Sequence, residues 1–373
     1  MSSNTPALFQ PVKIGALTLQ HRIVHAPLTR FRNTKDNVPQ TVMTEYYSQR
    51  AGIPGTLIIA ESTFIAQKAG LYYNAPGIWN DAQIAGWKEI TDAIHSKGSV
   101  VYLQLWALGR SADVEALHAA DPKYPFVSAS DLPLSPDAEI KPRPLSKDEI
   151  QEYVSLYSTA ASNAVNKAGF DGVEILCSSG YLLDQFLQDM SNNRTDEYGG
   201  SVENRCRFPL EVTQGIVKAI GEERTGVRIQ SRPFPTLSRE LKALYPKLAF
   251  LHAVEPGASG GDYADVTPSM SNEFIRDIWL PRLLITTGRY QRDTALKAAE
   301  KALSRVKDAG QAADVVGELI GFGRNFLANP DLPARYKLDL PLNKYDRSSF
   351  YLHGDTTGKG FTDYPSYSDK LDV

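Results

Sequence analysis

The sequence predicts a single (β/α)8 barrel of the TIM type, capped at one end by an N-terminal β-hairpin. Three observations carry that prediction. Eight short apolar runs recur along the 373 residues, and seven of them are rich in Val, Ile or Leu and bounded by Gly, Pro or charge, as strands buried on both faces should be. Longer amphipathic stretches with helix start and stop signals separate the runs. The first strand-to-helix turn, Ala26-Pro-Leu-Thr-Arg30, lacks the Gly-rich dinucleotide fingerprint of a doubly wound sheet, the competing reading.

The elements follow in order. Val12–Leu19 alternates in polarity and turns at Gly15, which predicts a hairpin plugging the barrel bottom. Strands are predicted at Ile23–Pro27, Thr56–Glu61, Val100–Leu105, Gly172–Cys177, Val227–Ser231, Ala249–Val254, Leu283–Thr287 and Leu319–Phe322. A helix runs from about Asp81 to Lys97, whose cation suits a helix C-terminus. Ser146-Lys-Asp-Glu149 reads as a capping box for a second helix, closing near Gly169. Ser201 opens a third, running to about Gly221, and Thr294–Lys307 forms a fourth. No solenoid-length repeat or low-complexity linker divides the chain, so residues 1–373 are expected to form one domain, with 346–373 as a surface tail.

Composition narrows the function. Hydrophobic residues make up 42% and charged residues 22%, with a net charge of -3, which gives no handle for nucleic acid or an anionic membrane. Two cysteines, Cys177 and Cys206, are too few for a disulfide framework. There is no signal-type segment and no apolar run of about 18 residues. A cytoplasmic protein acting on a small molecule is expected. Metal catalysis is not expected: the six histidines show no ligand spacing, and neither HExxH nor CxxC occurs. No Gly-x-Ser-x-Gly elbow marks a hydrolase. His252 reads as a core histidine with its hydrogen bonds satisfied.

Chemistry in such a barrel sits at the C-terminal strand ends. Strand seven ends in Thr287-Gly-Arg289 and strand eight in Phe322-Gly-Arg-Asn325, the usual phosphate site of this architecture. At this point the chain resembles the old yellow enzyme family of flavin-dependent ene-reductases, especially its fungal biosynthetic branch. The likeness rests on Ala26-Pro-Leu-Thr-Arg-Phe-Arg32, Gln104-Leu-Trp-Ala-Leu-Gly-Arg110, Gly180-Tyr-Leu-Leu-Asp-Gln-Phe-Leu187, Asn193-Arg-Thr-Asp-Glu-Tyr-Gly-Gly200, Glu203-Asn-Arg205 and Phe322-Gly-Arg324 with Asn329-Pro-Asp-Leu-Pro333. The resemblance implies FMN across the barrel top. Pro27 and Thr29 would meet its ring system, Gln104 and Arg228 would hold the pyrimidine edge, and Gly288, Gly323 and Arg324 would take the phosphate.

Departures from the family pattern shape the expected activity. The family's His-Gly-Ala-Asn-Gly-Tyr run, whose His and Asn grip the substrate carbonyl, is here Leu176-Cys-Ser-Ser-Gly-Tyr181. Leu176 cannot donate and Ser179 is short; losing one such donor typically costs ~10²–10³ in rate. The proton donor persists as Tyr181. Arg289 replaces a glycine, so it either adds a phosphate ligand or fills the site; Ser62 replaces a small residue beside the flavin. Trp106 would flank the substrate, and Phe361 stands where an active-site Tyr is expected. The segment Ser231-Arg-Pro-Phe-Pro-Thr236 is shorter than the family's roof loop, which with Arg289 predicts weakened FMN affinity. On this basis the sequence predicts a redox-neutral epimerase or isomerase acting next to a carbonyl or enol of a lipophilic natural product. Tyr181 and Cys177 would move the protons. The alternative is an FMN- and NAD(P)H-dependent ene-reductase.

Overall fold

The computed structural model describes residues 5–230, 235–259, 262–263, 270–308 and 317–367. Eight parallel strands close into a barrel: β1 (Ile23–His25), β2 (Leu57–Phe64), β3 (Val100–Trp106), β4 (Gly172–Cys177), β5 (Thr225–Gln230), β6 (Phe250–Val254), β7 (Leu284–Thr287) and β8 (Glu318–Phe322). Each strand pairs in parallel with its sequence neighbour, and β8 returns to β1 through Ile320 opposite Ile23. Every apolar run predicted as a strand is one. β1 stops at His25 rather than Pro27, because a proline has no N–H for the ladder and constrains the residue before it. Ser231, predicted as the end of strand five, lies outside the described residues.

Helices cover the outside: α1 (Thr41–Arg50), α2 (Asp81–His95), α3 (Lys147–Ser162), α4 (Val202–Ile220), α5 (Pro235–Leu244), α6 (Glu273–Trp279), α7 (Arg292–Asp308) and α8 (Leu332–Leu338). The Ser146 hydroxyl accepts from Glu149 N–H while the Glu149 carboxylate accepts from Ser146 N–H, the reciprocal cap read from the sequence. Asn80 and Gln83 cap α2 in the same way, and Ser201 accepts from Asn204 N–H at the start of α4. Four of these helices, α1, α5, α6 and α8, were not anticipated; α6 and α8 span two turns each, and α1 carries almost no amphipathic pattern.

The hairpin pairs Val12 with Leu19 across Gly15, whose φ of +54° is the left-handed turn conformation. Its Val12, Ile14 and Leu19 are buried with Leu57, Ile59, Tyr102, Phe250, Ile285 and Leu319. The hairpin therefore closes the N-terminal end of the barrel. At the other end, the tail is tied to the loop after β1 by buried arginines. Arg30 donates to Phe350 O at 3.1 Å and Gly360 O at 2.7 Å, and Arg32 pairs with Asp355 at 3.0 Å. No helix among the described residues is long and apolar enough to cross a membrane.

Candidate active site

Strand periodicity sorts the residues of the site. On β4, Val173, Ile175 and Cys177 join the apolar layer between barrel and helices, so Glu174 and Leu176 face inward. The same alternation turns Gln104, Trp106, Arg228, Gln230, His252 and Thr287 inward. Halfway up, these side chains form one hydrogen-bonded chain across the barrel. Ser62 donates to Gln104 Oε1, and Gln104 Nε2 donates to Glu174 Oε1 at 2.6 Å. Glu174 Oε2 meets His252 Nδ1 at 2.6 Å, and His252 Nε2 meets Thr287 Oγ1 at 2.6 Å. Burial tends to raise the Glu174 carboxyl, but His252, Arg228 and Gln104 bring it below the ordinary value. Burial lowers His252 against the opposing pull of Glu174. The short Glu174–His252 hydrogen bond holds carboxyl and imidazole in one fixed arrangement.

Above this layer opens a cavity of ≈ 660 Å³, within the range of small-molecule and cofactor sites. One side is built from β7 and β8: Thr287, Gly288, Arg289, Gly323 and Arg324 line it. Gly288 has φ +142°, and a Cβ there would stand 3.0 Å from that of Ala258. A Cβ at Gly323 would stand 3.2 Å from Leu28. Arg289 is exposed, adopts the left-handed conformation at φ +58°, and stands on the cavity wall. The other side carries Ser179, Gly180, Tyr181 and Gln230, with Pro27 and Arg228 between. Arg228 is partly buried, and its Nε lies buried without a hydrogen-bond partner among the described residues.

Tyr181 leans edge-on against Trp106, with ring centroids 4.8 Å apart, and Trp106 stacks on Phe64 at 5.0 Å. Leu176, 3% exposed, fills the same cluster. Leu176 and Trp106 thus form an apolar bed behind the phenol instead of lining the cavity. Burial lifts the Tyr181 phenol above its ordinary value, Tyr351 adds to the rise, and Arg228 opposes it. Ser179 is exposed at φ +66°. Thr29 is half-buried in the loop two residues past Pro27. Ser62 and Gln104 are buried below the cavity, and both ends of the Gln104 amide are engaged by Ser62 and Glu174.

Two expected site residues are placed elsewhere. Cys177 is fully buried on the outer face of β4, and burial holds its thiol well above the ordinary value. No substrate in the cavity could reach it. Phe361 is also fully buried, stacked on Tyr46 with centroids 4.1 Å apart, beneath the Arg30 and Arg32 guanidiniums. It anchors the tail and does not border the cavity. Tyr345, just before the tail, lines the cavity, and the tail's Tyr351 stands edge-on to Phe31 at 5.8 Å, close enough to influence Tyr181. The sequence offered a signal for it in Phe350-Tyr351, ten residues before Phe361. Gln230 was missed because its strand end carried no motif. The roof segment cannot be placed, since residues 231–234 lie outside the described residues.

A closed barrel with a Gly- and Arg-lined wall after β7 and β8, and a Tyr at the β4 rim, has the build of a barrel enzyme with a phosphate-bearing ligand. Comparison with known proteins agrees. The model of the NADH:flavin oxidoreductase / NADH oxidase family matches residues 7–343. Chanoclavine-I aldehyde reductase fgaOx3 of Penicillium roqueforti is 44% identical over 370 residues, covering 96% of this chain and 95% of that protein. The probable inactive dehydrogenase easA of Claviceps fusiformis is 39% identical over 393 residues, covering 100% of this chain and 97% of its own. Among solved structures, the Old Yellow Enzyme of a Pichia species superposes with a TM-score of 0.84 at 35% identity, over 97% of this chain and 94% of that one. The chain belongs to the NADH:flavin oxidoreductase / NADH oxidase family, the old yellow enzymes.

Proposed function

We propose that this protein is an FMN-dependent reductase of a conjugated carbonyl compound, most plainly an α,β-unsaturated aldehyde on a lipophilic biosynthetic molecule, with NAD(P)H as hydride source. The residues fit the cofactor. Arg228 presents a buried N–H with no partner among the described residues, suited to the polar edge of a flavin. Gly288 and Gly323 keep side chains out of the space that Arg289 and Arg324 border, suited to its phosphate. Pro27 lines the floor between them. FMN, when bound, supplies a two-electron hydride carrier.

The observation that carries the proposal is the placement of the Tyr181 phenol at the rim, on its bed of Trp106. Burial lifts the Tyr181 phenol above its ordinary value, which favours the protonated form, a donor. Cys177, the base that redox-neutral chemistry would enlist, is behind the barrel wall. Reduction needs a donor alone, because hydride and proton together saturate the double bond. Epimerisation needs a base first. The aldehyde class draws on the relative named for chanoclavine-I aldehyde reduction.

A redox-neutral isomerisation or epimerisation is the second reading. Leu176 and Ser179 favour it by removing the family's oxygen-gripping pair, as does likeness to a protein named a probable inactive dehydrogenase. One assay separates the two. Purified protein with FMN, a conjugated aldehyde and NADPH should give a product two mass units heavier and consume NADPH one for one. Turnover without NADPH, at unchanged mass in ordinary water and with one deuterium taken up in heavy water, would establish the second reading instead.

A further inference from the structure

Hydride addition to a conjugated carbonyl pushes the π electrons onto its oxygen, and that charge needs a hydrogen-bond donor. Leu176 and Ser179 leave the family's donor positions without one that is both present and long enough. A third side chain occupies the same rim. Gln230 ends β5, two residues beyond Arg228 on the same inward face, and lines the cavity with Ser179, Gly180 and Tyr181.

Its orientation is set by the neighbouring strand end. The Ser179 N–H donates to Gln230 Oε1 at 3.0 Å. Ser179 holds the uncommon left-handed conformation, φ +66°, in which that N–H meets β5. A reversed carboxamide would set two donors against each other, so the amide has only one workable sense. Its NH2 group is then left over, with no hydrogen-bond partner among the described residues. The Ser179 hydroxyl, by contrast, has the Ser178 hydroxyl as a neighbour at 3.4 Å.

We propose that the Gln230 NH2 is the donor to the substrate's carbonyl oxygen, taking over from β5 the task that Leu176 and Ser179 cannot perform from β4. The proposal rests on the reading of the cavity as a carbonyl site. As the β-carbon gains hydride, the π electrons move to the oxygen and Gln230 meets the charge. The Tyr181 proton then goes to the α-carbon, which balances the addition. Placing the donor on β5 also turns the carbonyl toward that strand, so specificity is expected for substrates whose bulk extends away from it.

The test uses FMN-loaded protein and trans-cinnamaldehyde, first without NADPH. Binding is followed through perturbation of the flavin absorbance, with FMN affinity and thermal midpoint measured in parallel. Gln230→Glu keeps the acceptor for Ser179 N–H and removes the donor; Gln230→Leu removes both. Cinnamaldehyde should bind about tenfold more weakly to each variant, with FMN affinity unchanged. With NADPH added, kcat should fall as well as KM rise, because the bond strengthens as charge develops. Unchanged cinnamaldehyde binding, a parallel loss of FMN affinity, or no saturable binding to the parent protein would each overturn the assignment. A parent that binds cinnamaldehyde in a Gln230-dependent way yet never consumes NADPH would leave this donor standing and defeat the reductive reading.

Discussion

The two halves of the barrel interior are built from opposite materials. Below, the hairpin's Val12, Ile14 and Leu19 meet Leu57, Ile59, Tyr102, Phe250, Ile285 and Leu319 in a closed apolar cluster. Above, Ser62, Gln104, Glu174, His252 and Thr287 bridge the barrel by hydrogen bonds, directly under an open cavity. The lower half stabilises through burial, at about 25 cal/mol per Å² of apolar surface. The upper half gains little net stability, because buried charges give up hydration that their partners only restore. What it provides is fixed direction, since Gln104 held at both ends cannot rotate. The lower half keeps the fold, and the upper half holds the floor of the site.

The largest expected effect tests the mouth of the upper half. Tyr181→Phe removes one hydroxyl and leaves the ring against Trp106, so the packing of the bed survives. Reductive turnover should fall by roughly 10²–10⁴-fold if the phenol is the proton donor. FMN affinity and thermal midpoint should stay where they were. Product formation under single-turnover conditions measures the drop, and a loss below tenfold would remove Tyr181 from the chemistry.

A matched pair of substitutions then separates the two layers. Ile59→Ala in the lower cluster should cost about 2–5 kcal/mol of stability through its cavity, with FMN affinity of the remaining folded protein unchanged. Glu174→Ala should cost about 1–3 kcal/mol for each of two buried groups it strips of a partner, His252 Nδ1 and the Gln104 NH2. It should also weaken FMN binding, since Gln104 loses its anchor. Denaturant titration and flavin fluorescence together decide. Equal effects of both variants on FMN would erase the distinction between the layers.

Acidity offers a gentler probe at the same height. Glu61 precedes Ser62, accepts from Arg30 N–H at 3.3 Å and from the Tyr47 hydroxyl at 3.4 Å, and burial pushes its carboxyl up to about 7. The folded value lies above the unfolded one, so the fold keeps its proton while the unfolded chain releases it. The contribution of this group to stability therefore falls as pH rises from about 4.5 to about 7, by at most about 3 kcal/mol. Glu61→Gln should remove that slope, and its advantage over the parent should be larger at pH 8 than at pH 5 in paired melts. A parallel shift at both pH values would mean that the carboxyl is ionised throughout.

Legibility from the sequence divides along the same line. Strands, hairpin and caps were readable because each depends on local pattern: an apolar run, a glycine at a turn, a serine three residues before a glutamate. That Gly288, Gly323 and Arg324 share one wall was readable because barrel connectivity fixes which strand ends adjoin. Cys177 misled because strand-end position says nothing about which face a side chain takes; one residue of alternation puts Leu176 inside and Cys177 outside. Phe361 misled for a longer-range reason. Its ring lies under two arginines from the β1 loop, more than 300 residues away in sequence, a contact that no local pattern encodes. The polar chain from Ser62 to Thr287 draws one residue from each of five strands, so its members look like unrelated buried residues until the barrel closes.

The smallest expected effect concerns Arg289 on that wall, and here its sign matters more than its size. The sequence left two roles open for this cation, a plug or a ligand, and the plug predicted weak FMN binding. In the fold the side chain is exposed on the cavity wall, and ≈ 660 Å³ remains open beside it. A guanidinium so placed adds a charge-assisted bond to a phosphate of about 1.5–3 kcal/mol before solvent screening reduces it. Arg289→Ala should therefore weaken FMN binding by about tenfold at low salt, with the difference shrinking as ionic strength rises. Riboflavin, which lacks the phosphate, should bind parent and variant equally. A variant that binds FMN more tightly than the parent would make Arg289 the plug. The contrast between the halves would then extend to the cavity itself, with a floor built for the flavin and a wall that resists it.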